Sequence, residues 1–304
     1  MRTYVLRRMA QSLTVLIVAM MMIFLIGRVL GDPVGLILGD FATPEAEEKL
    51  RAELGYDDPV IQQFGRFVYR VATLDFGNSQ ITGQNALQRV LDVLPNTALL
   101  AASILLTAVP LGFLAGAVSA WRPGGIVDRF VNVIALAGVS IVEFWLALTL
   151  ILYVAVPLSG IPTGGSGTWV HLLLPTITGA FRVVGRVAQL SRSALLEEYG
   201  KPYIEILQAK GLTDAQVFRH AARNAALAII TVSADEFLDL TNGLVVIETV
   251  FGWPGIGRLV IRALAERDLF VLEAAIFVLV LIVLAVNLLI DLLYTRLNPK
   301  VRYE

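Results

Sequence analysis

Six apolar runs, each long enough to cross a hydrocarbon core, most constrain what this sequence can become. They fall at residues 9–30, 94–120, 130–157, 172–196, 224–247 and 273–295, and a spanning helix needs about 20 such residues. Backbone polar groups in lipid must be satisfied within the segment, so the runs read as an all-α integral membrane bundle of six transmembrane helices. Composition agrees: 57% of the 304 residues are hydrophobic, 16% are charged and mean hydropathy is +0.74, outside the range of soluble domains. The first run follows Arg2, Arg7 and Arg8 as a secretory signal would. It is too long for one and no small-residue cleavage site follows, so it is expected to stay as the first membrane helix.

Six crossings place both chain ends on one side. Arg2, Arg7 and Arg8, then Arg122 and Arg129, then Lys201, Lys210, Arg219 and Arg223, then Arg296, Lys300 and Arg302 all fall on that side, which the positive-inside rule makes the cytoplasm. The acid-rich segment 31–92 is then extracytoplasmic. Within it Thr43, Pro44 and Glu45 supply an N-cap, a first-turn proline and a dipole-favoured acid, and Gly55 stands at the far end, so a helix is expected over 44–54. Asp58 and Pro59 open a second helix, whose Ile61, Phe64, Phe67, Val68 and Val71 repeat at helical spacing and would lie along the membrane surface. The alternative reading of both helices is a lid that packs on the bundle without binding anything.

Several chemistries are excluded. The net charge is −1 and the basic residues form short flanking clusters, so no nucleic acid is expected. Without cysteine there are no disulfides or thiolate sites. His171 and His220 lie too far apart for a metal pair, and no metal is expected. No GxxxxGK[ST] run exists, so the chain is not an ATPase and any ATP-derived energy comes from another chain. No Ser-His-Asp arrangement is evident, so no catalytic residue is assigned.

The cytoplasmic segment 197–223 between the fourth and fifth runs carries ordered punctuation. Pro202 stands just inside one helix start and Gly211 just past its end, while Thr213 and Gln216 form a capping-box pair that opens the next helix. The expected product is a rigid helix-turn-helix knob, the kind of handle a cytoplasmic partner needs to push on membrane helices.

Tyr203, Ile204, Glu205, Ala209, Lys210, Gly211 and Leu212, with His220, Arg223 and Asn224, resemble the loop of ABC importer permeases, most closely the dipeptide, oligopeptide and nickel class. In that family the loop, known for a Glu-Ala-Ala motif and a following glycine, seats a coupling helix in a groove of the ATPase subunit. Glu205 lies six residues before Gly211, as the motif asks. Ile206 and Leu207 replace its small residues, Gln208 stands where arginine is usual, and Ala228 where proline is. The resemblance covers nearly the whole chain. Gly31-Asp32-Pro33, Leu54 to Pro59 and Asp75 to Ser79 look like the class's first periplasmic region, Glu248 to Gly257 like its last periplasmic loop, and Asn287 to Leu289, Asp291 to Tyr294 and Asn298-Pro299 like its C-terminal end. The resemblance implies a type I permease fold in one domain, 1–304, with a periplasmic segment at 31–92, the coupling loop at 197–223 and a periplasmic loop at 248–272. It implies that Phe251, Trp253, Pro254, Gly255 and Gly257 face the periplasmic or lipid-anchored substrate-binding protein, although a structural cap is an equal reading. After that turn, 258–267 is expected to be an amphipathic helix with Leu259, Val260, Ala263 and Leu264 inward. Other implied partners are a second homologous permease and two ATPase subunits that hold the ATP and magnesium, in a bacterial inner membrane. This chain would need no cofactor.

Glu143, Arg182, Arg186, Asp235, Glu236 and Asp239 lie near the centres of the third, fourth and fifth runs. Facing lipid, the six would cost roughly 15–20 kcal/mol to insert, so they are expected to face inward. Arg182 and Arg186 share a helical face, as do Asp235 and Asp239. They line a translocation pathway or form a salt-bridge cluster that ties the spans together; the family pattern supports neither. Four acids against two arginines lean toward a solute with cationic character. Peptides lead as the cargo, with nickel chelates, glutathione and opines behind. An ion-coupled secondary carrier using the same acids is the competing class, but no inverted repeat supports it.

Overall fold

The computed structural model describes residues 2–29, 43, 45, 48–49, 51–52 and 57–297. Among the described residues the chain is helical with no strands: α1 (Arg2–Val29), α2 (Val60–Ala72), α3 (Ala86–Trp121), α4 (Ile126–Ser140), α5 (Glu143–Leu150), a π turn at Ile151–Ala155, α6 (Val170–Tyr199), α7 (Pro202–Ala209), α8 (Asp214–Val250), α9 (Ile256–Ala265) and α10 (Leu269–Leu297). Ala86–Trp121 and Leu269–Ile290 are long and apolar enough to cross a membrane, and α4 with Glu143–Ala155 makes a third span if that bent pair counts as one. The runs expected at 172–196 and 224–247 are helical throughout, inside α6 and α8, with the charged residues on them.

The run 130–157 is not one helix. It turns by 103° between α4 and α5, because Ile141 and Val142 both take extended backbone, with ψ of 127° and 131°. Both are β-branched, and that stiffness favours the extended region. The break makes Glu143 the first residue of α5, where the helix dipole favours a carboxylate.

Two compact units divide the chain, 1–95 with 254–288 and 96–253 with 289–304. In the first, Phe67, Phe76, Val90, Ile256, Val271 and Phe277 form the apolar core. Expected helix 44–54 lies mostly outside the described residues, as do Gly31-Asp32-Pro33, Leu54-Gly55-Tyr56 and Asn298-Pro299; residues 45, 48–49 and 51–52 are helical. Of the α2 stripe, Phe67 and Val71 are buried and Phe64 packs beside them, but Ile61 is 85% exposed. Asn85 caps α3 by accepting from the Gln88 N–H at 3.0 Å. A buried polar knot ties the preceding loop to the turn before α10: Ser79 Oγ donates to Asp268, and Arg89 Nη1 donates to Ser79 Oγ at 2.9 Å and lies 3.5 Å from Asp268.

The second unit is built by helices that approach closely through small residues, as membrane helices do. At the α4 and α6 crossing, a Cβ on Gly138 would lie 2.6 Å from Phe181 O, and one on Gly185 would lie 2.4 Å from Ala135 O. Leu100, Ile104, Leu174, Val183, Leu240 and Ile247 fill the core between α3, α6 and α8.

Candidate functional site

The charged residues of α5, α6 and α8 do converge. Arg182 sits among three carboxylates: its Nε donates to Glu143 Oε1 at 3.0 Å, while its Nη1 lies 3.6 Å from Glu236 Oε2 and 3.9 Å from Asp239 Oδ2. Arg186 Nε lies 3.3 Å from Glu236 Oε1. Exposure grades across the cluster. The Glu236 side chain is 2% exposed and Glu143 13%, against 52% for Arg186 and 61% for Asp239. The inner members form a compact ion-pair network, and Arg186 and Asp239, each one helical turn from an inner member, are its exposed edges. The Asp235 side chain lies outside the described residues.

Gly243 is a member of this site that the charge pattern did not reveal. A Cβ there would come within 2.4 Å of Glu143 Oε2, so its bare backbone lets the carboxylate of α5 lie against α8. The only sequence signal for it is a glycine seven residues after Glu236, which by itself says nothing of Glu143.

The elbow at 202–223 is ordered and its punctuation acts as expected. Pro202 is the first residue of α7, whose N-cap is Lys201, and Gly211 has φ of +77°, a left-handed turn that glycine takes without a Cβ penalty. The Thr213 backbone N–H donates to Gln216 Oε1 at 2.9 Å, opening α8. Ile204, Val217 and Ala221 form a small core with Tyr199, Tyr203, Leu207 and Leu212 packed on it. Glu198 joins that core to the helix start: Tyr203 Oη donates to its Oε2 at 2.8 Å, and Lys201 Nζ donates to its Oε1. Burial pushes the Glu198 carboxyl up, but bonds from Lys201, Tyr203 and Asn224 outweigh it and hold the group below its ordinary range.

The coupling candidates therefore separate. Glu205, Ala209, Lys210 and Gly211 are exposed, Tyr203 and Leu212 are half-buried, and Ile204 is buried, so Ile204 supports the elbow and does not face a partner. Ile206, read as a departure from the motif, is 55% exposed on α7 beside Glu205.

In the last loop Phe251, Trp253, Gly255 and Gly257 are buried and Pro254 is half-buried. Trp253 Nε1 donates to Asn96 O at 3.0 Å. The buried residues shape the turn, and the charges that α9 exposes are Arg258 and Arg262. This helix starts at Ile256, two residues before the expected start, and Leu264 is 43% exposed because the inward register is set by Ile256 and Ala263.

A second polar centre, at the junction of α3, α4 and α6, was missed. Arg192 grips Asp128 with both forks, at 2.7 and 2.9 Å, and Ser119, Asn132 and the Gly124 N–H donate to the same carboxylate. Asp128 and Arg192 lie 64 residues apart, and no local pattern links them.

Comparison with known proteins fits this architecture. The model for binding-protein-dependent transport system inner membrane components matches residues 108–303, and that for the N-terminal part of such components matches residues 1–101. A peptide transport system permease protein of Brucella abortus is 36% identical over 314 residues, and the glutathione transport system permease protein GsiC of Escherichia coli K12 is 32% identical over 307, each alignment covering all of both chains. A chain of the inward-facing MetNI methionine ABC transporter shares the fold, with a TM-score of 0.53 at 20% identity over 69% of this chain and 95% of that one. Matched along both halves and by full-length relatives, the chain belongs to the binding-protein-dependent transport system inner membrane components and is a permease subunit of an ABC importer.

Proposed function

We propose that this permease carries peptides or similar small solutes inward, as half of a pathway completed by a second homologous permease. Two ATPase subunits, holding the ATP and magnesium, drive it, and a substrate-binding protein delivers the solute on the periplasmic side, to which segments 31–92 and 248–272 belong. In this reading the six runs are six crossings, with both chain ends and the elbow in the cytoplasm. ATP closes the ATPase pair, their grooves move α7, and the bundle opens toward the binding protein; hydrolysis reverses it.

The observation that carries the reading is the braced elbow. Glu205, Ile206, Ala209 and Lys210 are presented on a helix fixed at both ends and packed on its own small core, so a push on α7 is transmitted into α6 and α8 and is not absorbed by a loose loop. The relatives above are named for peptide and glutathione transport, glutathione itself being a small peptide, and the cluster's exposed edges, Arg186 and Asp239, suit the opposite charges of a zwitterion.

The native sequence has no cysteine, so Ala209→Cys carries a photo-crosslinker uniquely. Illumination of the assembled transporter is expected to trap a nucleotide-binding chain, and Glu205→Arg with Ile206→Glu to abolish both the adduct and ATP-dependent uptake of a labelled tripeptide in proteoliposomes. Uptake that continues without ATP would assign the chain to ion-coupled carriers instead.

A further inference from the structure

A cavity of about 640 Å³ opens beside the end of α3, where the turn to α4 begins. Leu114, Val118, Val127 and the rings of Trp121 and Phe218 line it, and Arg122 stands in its wall. The two rings pack at 5.3 Å between centroids and close one side. Leu114, Val118, Trp121 and Val127 are each between 44% and 56% exposed, so the cavity opens outward and is not part of the core.

Its depth in the bilayer follows from α3. Residues 93–120 contain no charge; at 1.5 Å per residue they span about 42 Å, more than enough for a hydrocarbon core of about 30 Å, and Arg122 is the first charge at their far end. Trp121 and Arg122 therefore stand at the headgroup level, where amphipathic rings and cations settle. The charge there is unbalanced. Asp128 is the one acid in 121–130, it is 4% exposed, and Arg192 holds it. Arg122 and Arg129 are both exposed, and among the described residues neither has a carboxylate within 4 Å.

We infer that this cavity binds one anionic phospholipid, its acyl chain lying between α3 and α4 and its phosphate held by Arg122 and Arg129. An apolar slot opening to the bilayer at headgroup depth, with the unpaired Arg122 in its wall and Arg129 three residues beyond the lining residue Ile126 on the same helical face, matches a lipid of that charge on both counts. A soluble anion would use the arginines and leave the slot unfilled. A protein segment would need acids placed over both arginines.

The test uses the assembled permease with Ile126→Cys, at the rim of the cavity and 87% exposed, labelled with bimane. It is reconstituted in phosphatidylcholine bilayers with a minor fraction of brominated lipid, either phosphatidylglycerol or phosphatidylcholine. Brominated phosphatidylglycerol is expected to quench more strongly, by an enrichment of about fivefold for each guanidinium engaged. Arg122→Gln with Arg129→Gln should bring the two lipids level while leaving phosphatidylcholine quenching unchanged, which also shows that the fold persists. A bimane at Leu106→Cys, 77% exposed in the middle of α3, should be quenched equally by both throughout. Equal quenching at Ile126→Cys in the parent, quenching by neither because another chain covers the slot, or a preference that survives loss of both arginines would each overturn the assignment.

Discussion

Replacing Arg182 with Met is the sharpest probe of the intramembrane cluster, because the structure makes the cost asymmetric. Arg182 supplies the one ion pair that Glu143 makes among the described residues, at 3.0 Å, whereas Glu236 keeps Arg186 at 3.3 Å. Arg182→Met thus strands a carboxylate that is only 13% exposed. Breaking a buried pair from one side costs about 3–5 kcal/mol; the position of Glu143 in the first turn of α5 returns about 0.5 kcal/mol of that through the helix dipole, so the expected loss is about 3 kcal/mol. Glu143→Met should cost less, about 1–2 kcal/mol, since the guanidinium it leaves still faces Glu236 and Asp239.

The double substitution removes both charges and leaves Glu236 with Arg186, so it should cost no more than Arg182→Met alone, giving a coupling of about 1–2 kcal/mol. Each variant would be purified in micelles and unfolded by titration with dodecyl sulfate, followed by helical circular dichroism. Additive losses, or a larger loss for Glu143→Met than for Arg182→Met, would refute the network as drawn. Uptake measured alongside adds the functional axis: Asp239→Asn, at the exposed edge of the cluster, should leave stability within about 0.5 kcal/mol yet lower peptide uptake if the outer pair meets the solute.

Three further outcomes test other parts of the structure. Gly185→Ala would normally gain helix propensity, but its methyl must enter within 2.4 Å of Ala135 O, so a net loss of about 1–2 kcal/mol is expected; Gly65→Ala in α2, where nothing lies within 4 Å, should instead gain up to about 1 kcal/mol by the same unfolding assay. Gly211→Ala meets no atom but must hold φ of +77°, costing about 1 kcal/mol and raising amide exchange across 202–212 without changing it in α6. Glu198 binds protons less readily folded than unfolded, so its contribution to the elbow is full above its ordinary value of 4.5 and is lost as pH falls below that toward the lowered folded value. Exchange at 199–204 should rise on acidification below about pH 4.5, and Glu198→Gln should flatten that dependence.

What could be read from the sequence depended on the range over which each signal acts. The elbow was legible because proline at a helix start, glycine in a left-handed turn and a Thr/Gln box each act within four residues, and Pro202, Gly211, Thr213 and Gln216 all behave as their local chemistry dictates. The inward placement of Glu143, Arg182 and Glu236 was legible for another reason: exclusion from lipid is a property of each side chain and needs no knowledge of its partner. Which partner each one takes was not. Arg182 reaches Glu143 only because Ile141 and Val142 break the third run and because Gly243 leaves room beside α8, and neither event is implied by the charges. Asp128 and Arg192 escaped for the same reason, being joined by the α4 and α6 crossing that Gly138 and Gly185 permit. In a bundle whose helices are set by small residues, substituting the glycines should therefore rearrange the charge pairing before it disturbs the elbow, and the two classes of variant should separate in the unfolding and exchange measurements.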